Sequence, residues 1–403
     1  MRGWGKREWA AAAGIGLVAI ALGIIAIDRG SRGSNDFVNF HAAGAAVWNE
    51  GTLYLEKGTL RYPPSFQVMM SPLGALPIAW AAAVWVLLNY AAFAVLPWAF
   101  SRLSGLPPSR LGWAFFAVAP FIVNNVTLGQ SGPLLLAAAT LGILAAAQGR
   151  ATGGAALIAL AGFYKVFPAA LLAVPFALRR IPGVLAGTAL AAIGVSSWVA
   201  LAIGPREGLD DLARWFHEVR TEQSAERFFE VVRGLRYNNQ GLAVTIVRSF
   251  TTDFSWAPKL AAKGSVQLLS LPLPVAWGFY YTLVALIAAC SAAFAWRVRR
   301  APTTRDFLGL YALATPAMLA VSPLVWTHYF LWLLPCFVYL LPRTRLVAGL
   351  GALSLLAVFS VPARALGFHI WMSLLLFVLV ARQLWHETAP AWSAEPAREQ
   401  ARD

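Results

Sequence analysis

The chain has 403 residues, 59% hydrophobic and only 12% charged, with a mean hydropathy of +0.63. That excludes an ordinary soluble protein, which cannot cover its exterior with so little polar surface. A net charge of +14 would suggest nucleic acid in a soluble chain; here the arginines gather at the ends of apolar runs, as the positive-inside bias dictates, so no nucleic-acid partner is expected.

Apolar runs near membrane-spanning length occupy about 9–27, 76–101, 111–127, 131–148, 182–203, 275–296, 305–321, 327–342, 345–360 and 368–385. The first follows a basic flank (Arg2, Lys6, Arg7) but lacks a clean small-x-small cleavage site, and reads as a retained span. Segment 153–180, "GGAALIALAGFYKVFPAALLAVPFALRR", is too long for one upright span and carries Lys165 and Pro168 mid-way. It predicts two short helices in a hairpin with Lys165 near the turn, a broken path tolerated where it lines a protein cavity. Cys290 and Cys336 both fall inside apolar runs and read as small buried hydrophobes.

The expected fold is an all-α polytopic membrane protein with 11–12 crossings, one domain over 1–386 and a disordered cytoplasmic tail over 387–403. With the N-terminus in the cytoplasm of a plasma or inner membrane, the clusters Arg102/Arg110, Arg179/Arg180, Arg297/Arg299/Arg300 and Arg343/Arg345 all fall inside, with the C-terminus. A first outer loop (28–75) and a large one (204–274) then fall outside. The balanced charge and helically spaced apolar residues of the second predict helices lying along the membrane surface.

Polar groups near membrane spans are costly, which marks them as functional candidates. The same topology puts many on the outer side: Asp36 and His41, Arg61 and Tyr62, Asn124, Asn125 and Gln130 of "NNVTLGQSG", Lys165, Asn238, Asn239 and Gln240 of "RYNNQG", Arg248, and Trp326 and His328 of "SPLVWTHYF". Plainer roles stand beside these. Asp36 suits the N-cap of the helix that follows, His41 a solvated helix face, and His328 an interfacial aromatic belt. Lys165 is harder to explain away, since an idle ammonium near a helix centre costs roughly 2.5–3.5 kcal/mol. No HExxH, paired-carboxylate or Cys/His spacing and no phosphate-binding glycine loop appears, so neither a metal nor another cofactor is expected.

The ordered set of an outer-loop Asp, "YPP", "GQSGPLLL", "GFYKVFPAALL", "NNQG" and "SPLVWTHYFLWLLP" resembles glycosyltransferase family 87, over about residues 36–342. It departs from that pattern at "NNQG", where a serine would follow the glutamine. The resemblance implies a GT-C-type membrane bundle that transfers a hexose, mannose in the best-known members, from a polyprenyl-monophosphate donor to a glycolipid or glycan acceptor at the outer face. It implies Asp36 as general base with Lys165 and His328 in the catalytic centre. Arg61, Tyr62, Gln130, Asn239, Gln240, Arg248 and Trp326 would then hold donor phosphate or substrate. The competing reading, a polytopic transporter, is drawn from the crossings and the broken hairpin; the one-sided polar cluster and the lack of matching halves speak against it.

Overall fold

The computed structural model describes residues 6–53, 62–222, 239–251, 268–322 and 324–388. Arg61, Asn238, most of the expected large outer loop and the tail from residue 389 lie outside the described residues. Among those described the chain is helical, with no strand beyond an isolated bridge between Thr251 and Leu271. It is an all-α polytopic membrane protein. Five helical stretches are long and apolar enough to cross a bilayer: Ile78–Ser104, Ile181–Ile203, Leu273–Val298, Thr327–Phe359 and Phe368–Glu387. Along Ile181–Ile203, Leu185, Leu190, Ile193 and Leu201 stay exposed. Such a face is a liability in water and the lipid-facing side in a membrane.

The first part runs α1 (Lys6–Ser31), α2 (Phe37–Glu50), α3 (Pro64–Gly74) and α4 (Ile78–Ser104). The stretch expected as an outer loop thus contains two helices that pack on each other. Gly44 and Gly74 permit the approach, since a Cβ on Gly44 would sit 2.3 Å from the Met70 carbonyl oxygen. Phe37, Phe40 and Phe66 are almost fully buried, so α2 is an inner helix and not a solvated one.

The apolar run at 111–127 splits into α5 (Pro108–Ala117) and α6 (Ala119–Thr127). Pro120 cannot donate to the helix ladder and its ring crowds the preceding turn, so the axis breaks at Val118. Next come α7 (Gly132–Ala147) and the expected hairpin: α8 (Ala151–Tyr164), a 3₁₀ turn (Phe167–Leu172) and α9 (Ala173–Ala177). Lys165 is extended (φ −151°, ψ 119°) and closes α8. Helix α10 (Ile181–Ile203) packs on α8, which in turn packs on α7. Small residues set those spacings, as is usual between membrane helices: a Cβ on Gly154 would lie 2.4 Å from the Gly142 oxygen.

Helix α11 (Pro205–Glu222) is the expected amphipathic element, with Trp215 buried and Asp210 and Arg214 exposed. Then follow α12 (Leu242–Phe250), α13 (Leu273–Val298), α14 (Thr304–Val321), a 3₁₀ segment (Thr327–Leu333), α15 (Leu334–Leu340), α16 (Thr344–Phe359), α17 (Val361–Ala365) and α18 (Phe368–Glu387). Arg343 (φ −106°, ψ 56°) breaks the path between α15 and α16. Both of those helices pack against α5.

Candidate active site

The site begins at the turn between α1 and α2. Asn35 does the local capping: its Nδ2 donates to the Ala26 carbonyl (3.2 Å) and its Oδ1 accepts from the Phe37 amide (3.1 Å). Asp36 stands at the N-cap position, yet its side chain makes no cap hydrogen bond. Its amide donates to the Leu128 carbonyl (3.1 Å), and its carboxylate accepts from Nε2 of Gln130. An Asp that merely capped α2 would turn its oxygens back onto the helix; this one turns them to a neighbouring element.

Gln130 is held by the tight turn that ends α6. Gly129 adopts φ +65°, where a Cβ would strain the backbone and strike the Phe37 Cβ at 2.8 Å. The Trp85 indole donates to the Gly129 carbonyl (2.8 Å), fastening the turn to α4. "GQSG" is therefore glycine-bearing because two turns must touch.

Lys165, at the hairpin bend, enters an aromatic cage. Its Nζ lies 4.4 Å from the Tyr329 ring centroid, 5.4 Å from Tyr62 and 5.8 Å from Phe167. Tyr62 accepts a hydrogen bond from Lys165; burial pushes its phenol above the usual value, and the ammonium pulls it the other way. Tyr62 itself stacks on Phe66 (4.3 Å) and meets Phe40 edge-on (5.5 Å). The rings offset part of the cost of burying an ammonium.

The third wall is the segment before α15. His328 is buried, its ring edge-on to Tyr329 at 4.6 Å, and its carbonyl accepts from Nδ2 of Asn125 (2.7 Å). Its Nε2 is buried with no hydrogen-bond partner among the described residues. Asp36, Tyr62, Asn124, Gln130, Lys165, Trp326 and His328 all line one cavity of about 590 Å³. That volume is in the range of small-molecule sites, and its walls come from segments up to 328 residues apart, Asp36 to Arg364.

A family model for glycosyltransferase family 87 matches residues 60–323, more than half of the sequence. The chain belongs to glycosyltransferase family 87. It is accordingly a membrane glycosyltransferase, with a sugar donor and an acceptor as its substrates. The family 87 match takes in Tyr62, Gln130 and Lys165 but ends before Trp326 and His328 and begins after Asp36. No curated protein and no solved structure matches the chain.

Three residues expected to contact substrate lie one layer behind the cavity. In this family 87 chain Asn239 Oδ1 accepts from the amides of Gly241 and Val325 (both 2.9 Å), and the Gln240 amide donates to the Val325 carbonyl (2.8 Å). The Gln240 side chain bonds Nδ1 of His369 (2.9 Å). Arg248 donates to the carbonyls of Asn239 (3.2 Å) and Arg364 (3.5 Å); burial pushes its guanidinium down to about 10, so it stays charged at neutral pH. All three are nearly inaccessible. They pin Val325, and with it Trp326 and His328. His41 points elsewhere, bonding the Leu76 carbonyl through Nε2 (2.9 Å).

Sequence reasoning did not single out Arg364, Tyr329 or Phe66, which also line the cavity. An arginine in a five-residue helix between two apolar runs, "SVPARALG", is the signal that was present for Arg364. Among the described residues Asp36 is the cavity's one carboxylate, and no group of three or more His, Cys, Asp or Glu that could hold a metal ion occurs among them.

Proposed function

We propose that this glycosyltransferase takes a hexose, with mannose the first candidate, from a polyprenyl-monophosphate donor and transfers it with inversion to a glycolipid or glycan hydroxyl. The observation that carries the reading is the carboxylate of Asp36, freed from helix capping, sharing a cavity with the caged ammonium of Lys165.

Asp36 takes the proton of the acceptor hydroxyl as that oxygen attacks the anomeric carbon. The bond between the anomeric carbon and the phosphate oxygen breaks on the opposite face, and its electron pair leaves with the polyprenyl phosphate. Lys165 balances the charge that grows on that phosphate. His328, with an unpartnered Nε2, supplies a further hydrogen bond to the phosphate or to a sugar hydroxyl. Trp326 and the Tyr62–Phe66 stack offer flat apolar faces to a sugar ring or an isoprenoid unit. No metal or other cofactor takes part in this scheme. The charge distribution supports placing the cavity at the outer face of the plasma or inner membrane, with both termini cytoplasmic.

The test is transfer from radiolabelled polyprenyl-phosphate-mannose in membranes holding wild-type protein or Asp36→Asn at matched expression. Turnover that is lost in the variant supports donor class and base together. Equal turnover in both removes Asp36 from the mechanism, and turnover only with another lipid-linked sugar replaces mannose.

A further inference from the structure

A second polar cluster sits at the far end of the bundle. Helix α14 starts there and ends next to the cavity, while α18 starts beside the cavity segment and ends there. A 20-residue helix such as α18 spans about 30 Å, so the two clusters stand about one hydrocarbon thickness apart. Between the ends of α13, α14 and α18 lies a pocket of about 390 Å³ whose rim carries Arg297, Arg300 and Arg305.

Its carboxylates are already committed. Glu387 accepts from Arg305 Nε (2.7 Å) and Nη2 (2.6 Å), from the Tyr339 hydroxyl (2.8 Å) and from Gln383 (3.0 Å). Asp306 closes a capping box with Thr303. Among the described residues Arg297 donates to the Thr388 carbonyl (3.0 and 2.8 Å), and neither it nor Arg299 nor Arg300 has a carboxylate within salt-bridge reach. Arg179 adds its charge beside Arg299. The excess cations are flanked by exposed tryptophans: the Arg297 guanidinium lies 4.3 Å from the Trp385 ring centroid, and Arg299 packs on Trp296. Exposed Trp beside Arg is the composition of a membrane–water interface, where a basic pocket between helices suits an acidic headgroup.

We infer that the pocket bounded by Arg297, Arg300 and Arg305 binds the phosphate headgroup of an anionic membrane lipid, on the leaflet opposite the proposed active site. The guanidiniums meet the phosphate and the tryptophans sit at the glycerol level. This site is separate from the donor site, and its test reads binding and not transfer.

The measurement is native mass spectrometry of the delipidated, full-length protein in neutral detergent, titrated with phosphatidylglycerol, phosphatidylcholine or inorganic phosphate. Phosphatidylglycerol should bind at least tenfold more tightly than phosphatidylcholine and far more tightly than inorganic phosphate. Arg300→Glu, which breaks no hydrogen bond among the described residues, should weaken phosphatidylglycerol at least fivefold, since one arginine at a membrane surface is worth about that factor. Arg297→Gln should add to the loss, and Arg110→Gln, away from this pocket, should change nothing. Equal binding of the two lipids, an unchanged Arg300→Glu, or inorganic phosphate binding as tightly as the lipid each overturns the inference.

Discussion

The side-chain amide of Gln130 donates a hydrogen bond to the carboxylate of Asp36, joining residues 94 positions apart. That bond orients the proposed base while leaving its remaining acceptor capacity to the cavity. Gln130→Ala should therefore lower kcat by about 10–100-fold, the scale of losing a charge-assisted hydrogen bond, with little change in donor KM. Gln130→Glu should be worse, because it sets a second carboxylate against the first. Steady-state kinetics on purified protein checks both.

Lys165 is the only ammonium in the cavity among the described residues. If it meets the donor phosphate, Lys165→Met should reduce kcat/KM by about 10–100-fold, and Lys165→Arg should restore part of it by keeping the charge. A variant series against donors with and without the phosphate charge gives the reading. Loss that is equal for Met and Arg would assign the lysine to packing within its aromatic cage.

Asn239 supports the cavity from behind. Asn239→Ala orphans the amides of Gly241 and Val325, at about 1–3 kcal/mol for each buried group left unsatisfied. The thermal midpoint in detergent should fall, and activity should fall with it because Trp326 and His328 lose their anchor. Asp36→Asn, by contrast, should abolish turnover with the midpoint unchanged. The contrast separates support from chemistry.

Two neighbouring glycines on α8 make opposite predictions. A Cβ at Gly154 would lie 2.4 Å from the Gly142 carbonyl oxygen, whereas one at Gly153 meets nothing within 4 Å. Gly154→Ala should destabilise by about 1–3 kcal/mol through forced separation of α7 and α8. Gly153→Ala should be neutral or stabilising by up to about 1 kcal/mol, since alanine gives up less backbone entropy in a helix. Thermal unfolding of the two single variants is sufficient.

Membrane character, the helical class and the hairpin at Lys165 were legible in the sequence, because they follow from run length and from the few residues that break a run. The set Asp36, Gln130, Lys165 and His328 was legible as well, since a bilayer makes every nearby polar group conspicuous. The inward packing of α2 was not, because its exposed partner in sequence is a polar loop and its buried partner is α3. Nor was Arg364, which looks like any interfacial arginine until α17 carries it to the cavity.

By itself, then, the sequence determined which segments enter the membrane and which polar residues need a reason to be near it: these are local properties of transfer from water to lipid. Only the tertiary structure decided what each polar residue faces. Asn239, Gln240 and Arg248 turned out to brace Val325 behind the wall. Asp36, one residue from the capping Asn35, had its carboxylate turned outward to Gln130. Hydrogen-bond direction depends on which distant backbone groups are left without partners, and that is known only once the helices have met.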